Sequence, residues 1–126
     1  MSFPTYSSYE ELLNAIDAGG TGREILNPAT GEVVGHADTA TVDDLNDAVV
    51  QAREAYETFK KTSHDERCAL LMEAADAIKA NAEPLAELLS REQGKPLNGP
   101  NARFEIGGAE AWTRATASFP LDPEVI

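Results

Sequence analysis

His64 and Cys68 stand four residues apart, so on a helix they share a face, and an imidazole beside a thiol is the minimum for nucleophilic chemistry. The pattern supplies no third group to orient the imidazole, and buried cysteines without such support are usually inert. As metal ligands the same two residues fall short, because a structural zinc takes four ligands and a catalytic one typically three from protein. His36 is remote in sequence, on a segment that reads as strand. Gly19-Gly20-Thr21-Gly22-Arg23 has glycine amides able to cradle an oxyanion. A dinucleotide loop, however, needs a strand before it and a helix after it, and here the order is reversed. Gly94-Lys95 echoes the end of a phosphate-binding loop, but Pro96 stands where a magnesium-binding hydroxyl should be. The acidic pairs Glu10-Glu11 and Asp43-Asp44 sit in first helical turns, where the helix dipole favours carboxylates without any catalytic role. Local chemistry thus nominates no catalytic, cofactor-binding or metal-ligating residue.

Composition narrows the classes further. The 126 residues carry 10 Lys and Arg against 22 Asp and Glu, a formal net charge of -12. Nucleic acids and anionic membranes are recognised through clustered cations, so neither is an expected partner. At 42% hydrophobic residues the chain can build a core, and its length suits one domain. Cys68 is the single cysteine and cannot staple the fold, which fits a reducing, cytoplasmic setting. The first residues show no basic segment followed by an apolar one, and Ala69 to Met72 is far too short to span a bilayer.

The elements that would position these residues are mostly helical. Ser7 and Ser8 each precede a glutamate by three residues, the capping-box spacing, and open a short helix expected to end at Gly19-Gly20. Arg23 to Leu26 and Glu32 to Ala37 flank the turn-rich Asn27-Pro28-Ala29-Thr30-Gly31, a hairpin that needs something to lie on. Thr41 with Asp44 caps a second helix, about Val42 to Lys60, whose Leu45, Ala48, Val49, Ala52, Tyr56 and Phe59 recur at spacings of three and four residues. Ser63 with Glu66 opens a third helix bearing Leu70, Leu71, Ala74, Ala75 and Ile78. Pro84 marks the first turn of a fourth, closed by Gly94 and Pro96. A fifth follows Asn98-Gly99-Pro100 and runs to about Ser118, with Phe104, Ala111, Ala115 and Phe119 on one face and Trp112 beside it. Gly107-Gly108 inside that helix weakens it by about 1 kcal/mol each relative to alanine, so close approach of another backbone is expected there. Pro123-Glu124-Val125-Ile126 reads as extended and apolar, an ending that looks cut.

Taken together, Asn27-Pro28-Ala29-Thr30-Gly31-Glu32-Val33-Val34-Gly35, then Glu66-Arg67 opening an apolar helix, then Glu92-Gln93-Gly94-Lys95-Pro96-Leu97, resembles the N-terminal part of the NAD(P)-dependent aldehyde dehydrogenase superfamily. The resemblance covers approximately Arg23 to Ile126. It implies an α/β fold in which this segment, mostly helical with one short hairpin, opens a Rossmann-like cofactor domain. Residues 1-22 would be a leading helix and linker, and residues 23-126 the start of that domain, truncated before the catalytic domain. The complete enzyme implied by the resemblance oxidises an aldehyde to a carboxylate with NAD or NADP through a cysteine thioester, as a homo-oligomer. The motifs that carry its thiol, its glutamate and its asparagine match nothing in this sequence, and Cys68 aligns with an early helix instead. No catalytic residue can therefore be carried over, no cofactor is expected on the isolated chain, and its partner would be the remainder of the enzyme. Glu92 and Lys95 belong to the shared motif and are expected to serve helix-end structure. The alternative is a self-contained helical binding or regulatory module, with the faces of Val42 to Lys60 and Leu70 to Ile78 closing on one another.

Overall fold

The computed structural model describes residues 3–121, so the extended ending expected of Pro123 to Ile126 lies outside the described residues. Helix α1 (Tyr9–Ile16) begins where the Ser8 hydroxyl accepts from the amide of Glu11, while the Glu11 carboxylate accepts from the amide and hydroxyl of Ser7 at 2.7 and 2.8 Å. It stops short of the glycines at which the sequence placed its end. The reason is Asp17, whose Oδ1 accepts from the amides of Gly19 (3.1 Å) and His36 (2.7 Å). Those bonds draw the chain into a single 3-10 turn, Gly19–Thr21.

Strands β1 (Arg23–Leu26) and β2 (Val33–Ala37) pair antiparallel, with Glu24 opposite His36 and a bulge between Ile25 and Leu26. In the turn, Asn27 Oδ1 accepts from the amide of Ala29 and its carbonyl from that of Gly31, at 2.9 and 2.7 Å. Gly31 has φ 76°, a left-handed conformation that costs a side-chain-bearing residue free energy. The support a hairpin needs comes from α1: Ala18 donates its amide to His36 O at 3.0 Å, and Gly35 is buried where a Cβ would meet Leu13 Cδ1 at 2.9 Å.

Helices α2 (Val42–Phe59) and α3 (His64–Ala80) both start with complete capping boxes, Thr41 with Asp44 and Ser63 with Glu66. Helix α4 (Ala82–Gln93) carries Pro84 in its first turn and ends on Gly94, whose φ of 65° is the left-handed helix stop. Asn98-Gly99-Pro100 forms the turn ahead of α5 (Ala102–Ala117), which Ser118 closes.

Helices α3, α4 and α5 pack together, and α1 lies on α4. The interior is made of small residues: Ala75, Ala86 and Ala102 are fully buried and Ala117 nearly so, which lets helix backbones approach closely. Tyr9 and Leu12 of α1 meet Leu88 of α4, and the Arg91 guanidinium lies 4.4 Å from the centre of the Tyr9 ring. Among the described residues no large side chain is completely buried.

Two expectations fail here. Every residue from Thr41 to Lys60 is exposed, so α2 does not close on the Leu70 to Ile78 face of α3. A Cβ added at Gly107 or Gly108 would meet nothing outside its own helix within 4 Å, so the close approach of another backbone expected there is not found among the described residues. The face they share with Phe104 and Trp112, 67% and 73% exposed, points away from α3 and α4. No described helix is long and apolar enough to cross a membrane.

Candidate functional site

The first turn of α3 brings His64 and Cys68 together, as their spacing requires. Cys68 Sγ lies 3.4 Å from Nε2 of His64 and 3.8 Å from Nδ1. A sulfur nearly equidistant from both ring nitrogens lies over the ring or beside the carbon between them. Neither position is along an in-plane lone pair, which a proton transfer from the thiol would need. Among the described residues no carboxylate hydrogen-bonds to His64. The pair faces a cleft of about 280 Å³ whose other walls are Arg67, Leu71, Thr116, Phe119 and Leu121, apolar except at its rim. The contact is real, and the geometry is that of packing.

Carboxylates do structural work where the sequence placed them. Hydrogen bonds from the Thr41 amide, and then its hydroxyl, hold Asp44 below the usual carboxylate range. Ser63 does the same for Glu66, and Ser7 for Glu11, in each case amide first and hydroxyl second. Asp17 is lowered by the amides of Gly19 and then His36, and its Oδ1 also lies 3.2 Å from His36 Nδ1. Sequence reasoning missed this Asp17–His36 clamp, because its partners are 19 residues apart and meet only through the hairpin fold.

Asn81 was missed as well. It is 7% exposed at the junction of α3 and α4. Its Oδ1 accepts from the amide of Tyr6 at 2.8 Å, and its Nδ2 donates to the carbonyls of Pro4 and Ala77 at 3.0 and 2.9 Å. An asparagine between two helical runs is the one signal available, and it reveals a boundary without revealing the partner.

Of the two motif residues, Lys95 ties two helices together. The Lys95 carbonyl accepts from Ser90 Oγ at 2.7 Å, and its Nζ donates to both carboxylate oxygens of Glu105 at 2.8 Å, tying the end of α4 to the start of α5. Arg103 forms a second tie, to Glu83 and Asn98. Glu92 borders a small cleft of about 120 Å³ with Asp17, Gly35 and His36. An open groove of about 480 Å³ is lined by Val49, Ala52, Arg53, Tyr56 and Glu57 of α2. No set of three His, Cys, Asp or Glu side chains among the described residues could hold a metal ion.

Neither of the two glycine segments is shaped as a phosphate cradle for the NAD(P) that the resemblance implies. The Gly19 to Gly22 segment is a 3-10 turn running into a strand, so its amides do not head a helix aimed at a phosphate. Gly22 is pressed against the Ala37 carbonyl, where a Cβ would come within 2.7 Å. Gly94 ends a helix, and Lys95 is engaged by Glu105.

Residues 16–122 match the aldehyde dehydrogenase family. The chain is 36% identical over 102 residues to a probable aldehyde dehydrogenase of Pseudomonas sp, a match covering 81% of this chain and 20% of that protein. It is 39% identical over 98 residues to the non-phosphorylating aspartate-semialdehyde dehydrogenase of Halomonas elongata, covering 76% of this chain and 20% of the relative. To the NADP(+) succinate-semialdehyde dehydrogenase 2 of Schizosaccharomyces pombe it is 39% identical over 97 residues, covering 75% and 19%. The chain thus spans about a fifth of the length of the curated relatives it matches. With a family match over residues 16–122 and relatives 36–39% identical over three quarters or more of its length, this chain belongs to the aldehyde dehydrogenase family, as its N-terminal portion.

Proposed function

We propose that these 126 residues are scaffold for an oxidoreductase that converts an aldehyde to a carboxylate with NAD(P)+ through a cysteine thioester, and that by themselves they are catalytically silent. The carrying observation is the family match over residues 16–122, set beside a chain whose one thiol packs against an imidazole it cannot transfer a proton to. In this reading Cys68 is a helix residue, and the reacting thiol, the oxyanion donors and the water-activating carboxylate come from protein outside these residues. What the chain contributes is position. Its α3, α4 and α5 layer, tied by Lys95–Glu105 and Arg103–Glu83, presents the Phe104 and Trp112 face of α5 to the rest of the enzyme.

The reading has two tests. The purified chain, mixed with short aliphatic aldehydes and semialdehydes and either NAD+ or NADP+, should give no rise in absorbance from reduced nicotinamide. Turnover above the background of a Cys68→Ser variant would defeat it. Co-expression with a polypeptide matching the other four-fifths of one relative should yield a complex that does turn over, and failure to associate would count equally against the scaffold role.

A further inference from the structure

Helix α2 is amphipathic over its whole length. Leu45, Val49, Tyr56 and Phe59, together with the alanines of the helix, fall within one uninterrupted arc of about 120° at the α-helical period. The rest of the circumference carries Asp43, Asp44, Asp47, Glu54 and Glu57. An apolar arc that wide is the face of a helix laid on a core. Yet no residue of α2 is buried by the described chain, and Leu45 and Tyr56 are 61% and 59% exposed.

Charge and chain length narrow what covers this face. An interfacial helix meets an anionic membrane with lysines and arginines, and the polar side of α2 is acidic instead. Within α2 those five acids stand against Arg53 alone, and Lys60, just past its end, is taken up by Glu57 and the Tyr56 ring, so another α2 is an unfavourable neighbour. The family match over residues 16–122 takes in the whole helix, and the relatives are chains of which the matched part makes about a fifth. We infer that α2 docks through its apolar face on the polypeptide forming the other four-fifths of the enzyme, and that this contact, separate from that of α5, is what makes the helix firm. The inference rests on the scaffold reading above and adds a second surface to it.

The energetics of the helix point the same way. Helices in proteins draw most of their stability from a buried apolar face, so the 18 residues of α2, with nothing packed on them, are marginal in water. Val42, Val49, Val50 and the three aspartates are poor helix formers besides. The Thr41–Asp44 capping box fixes where α2 starts, but its effect is confined to the first turn. The connections 38–41 and 60–63 join the helix to β2 and α3 without burying any of it. An apolar surface laid on the face supplies the missing stability, so docking and completion of the helix are one event.

The test uses the full 126-residue chain, alone and with a polypeptide matching the other four-fifths of one relative. Alone, its α2 amides should exchange with solvent about tenfold or more faster than those of α3, and in the complex they should slow by a similar factor. Val49→Glu places a charge in the apolar face. It should leave the urea midpoint of the isolated chain unchanged and weaken the complex roughly tenfold or more. Val50→Glu, on the acidic side, should leave the complex unchanged. If the parent associates and Val49→Glu associates equally well, the scaffold reading stands and this inference is overturned. A parent that does not associate at all overturns both. So, for this inference, do α2 amides as protected as those of α3 in the monomeric chain, or a dimer of the parent that Val49→Glu dissolves.

Discussion

Asn81 is the residue on which the N-terminal segment depends. Its amide group satisfies the Tyr6 amide and the Pro4 and Ala77 carbonyls from a nearly buried position. Replacing it by alanine removes those bonds and leaves partners desolvated, an effect of about 1–3 kcal/mol. Asn81→Ala should therefore lower the urea midpoint by a corresponding amount and expose the Tyr6 amide to fast hydrogen exchange, and an unchanged midpoint would refute the assigned role. A pH effect arises at the same scale. Glu11, Asp17, Asp44 and Glu66 all ionise more readily folded than unfolded, so the unfolded chain binds protons first as pH falls. The stability they add is complete above the ordinary carboxylate range near pH 4 and is lost below it. Thermal midpoints should be flat from neutrality to about pH 5 and then drop, and Asp44→Asn should flatten part of the acid limb as followed by α2 helicity.

At the scale of elements, Gly107 and Gly108 give opposite expectations from the close-packed Gly35. Nothing but their own helix lies within 4 Å, so an added methyl meets open space, and Gly107→Ala should stabilise the isolated chain by roughly 0.5–1 kcal/mol. Gly35→Ala, where the methyl would meet Leu13, should destabilise it, and a urea titration of both variants checks the contrast. Helices were legible in the sequence because their signals are local. Thr41 with Asp44, Ser63 with Glu66, Pro84 and Gly94 each act within one turn, and each boundary follows them. The end of α1 was not legible, since it is set by Asp17 reaching His36 across the fold. The covering of Gly107 was misjudged for a related reason. Periodicity shows that a face is apolar, but only a partner element, absent among the described residues, decides whether it is buried.

The whole molecule is a small helical layer with a hairpin on one end and much of its apolar surface outward. Phe104, Trp112, Phe119 and the apolar face of α2 are exposed, more than a monomer of this size usually leaves to water. The chain should bind a hydrophobic dye in its folded state. Trp112, the single tryptophan, should emit at long wavelength, shifting to the blue when a polypeptide matching the other four-fifths of a relative covers α5. Emission already blue in the isolated chain would show the face occupied. The family was readable from the order of three short motifs. The candidate pair was readable as a contact, because His64 and Cys68 do meet, but the position of the sulfur against the ring was not, since it depends on side-chain rotamers that spacing does not specify.

The turn at Asn27 to Gly31 and the stop at Gly94 are in direct contact. A Cβ on Gly94 would meet Pro28 Cγ at 2.7 Å, quite apart from its left-handed φ. Two stretches more than sixty residues apart therefore form a single lock-and-key surface. In chimeras between this chain and its relatives, a grafted hairpin will fit only when the loop after α4 is transplanted with it, and a crossover placed between the two should be the one that fails to express.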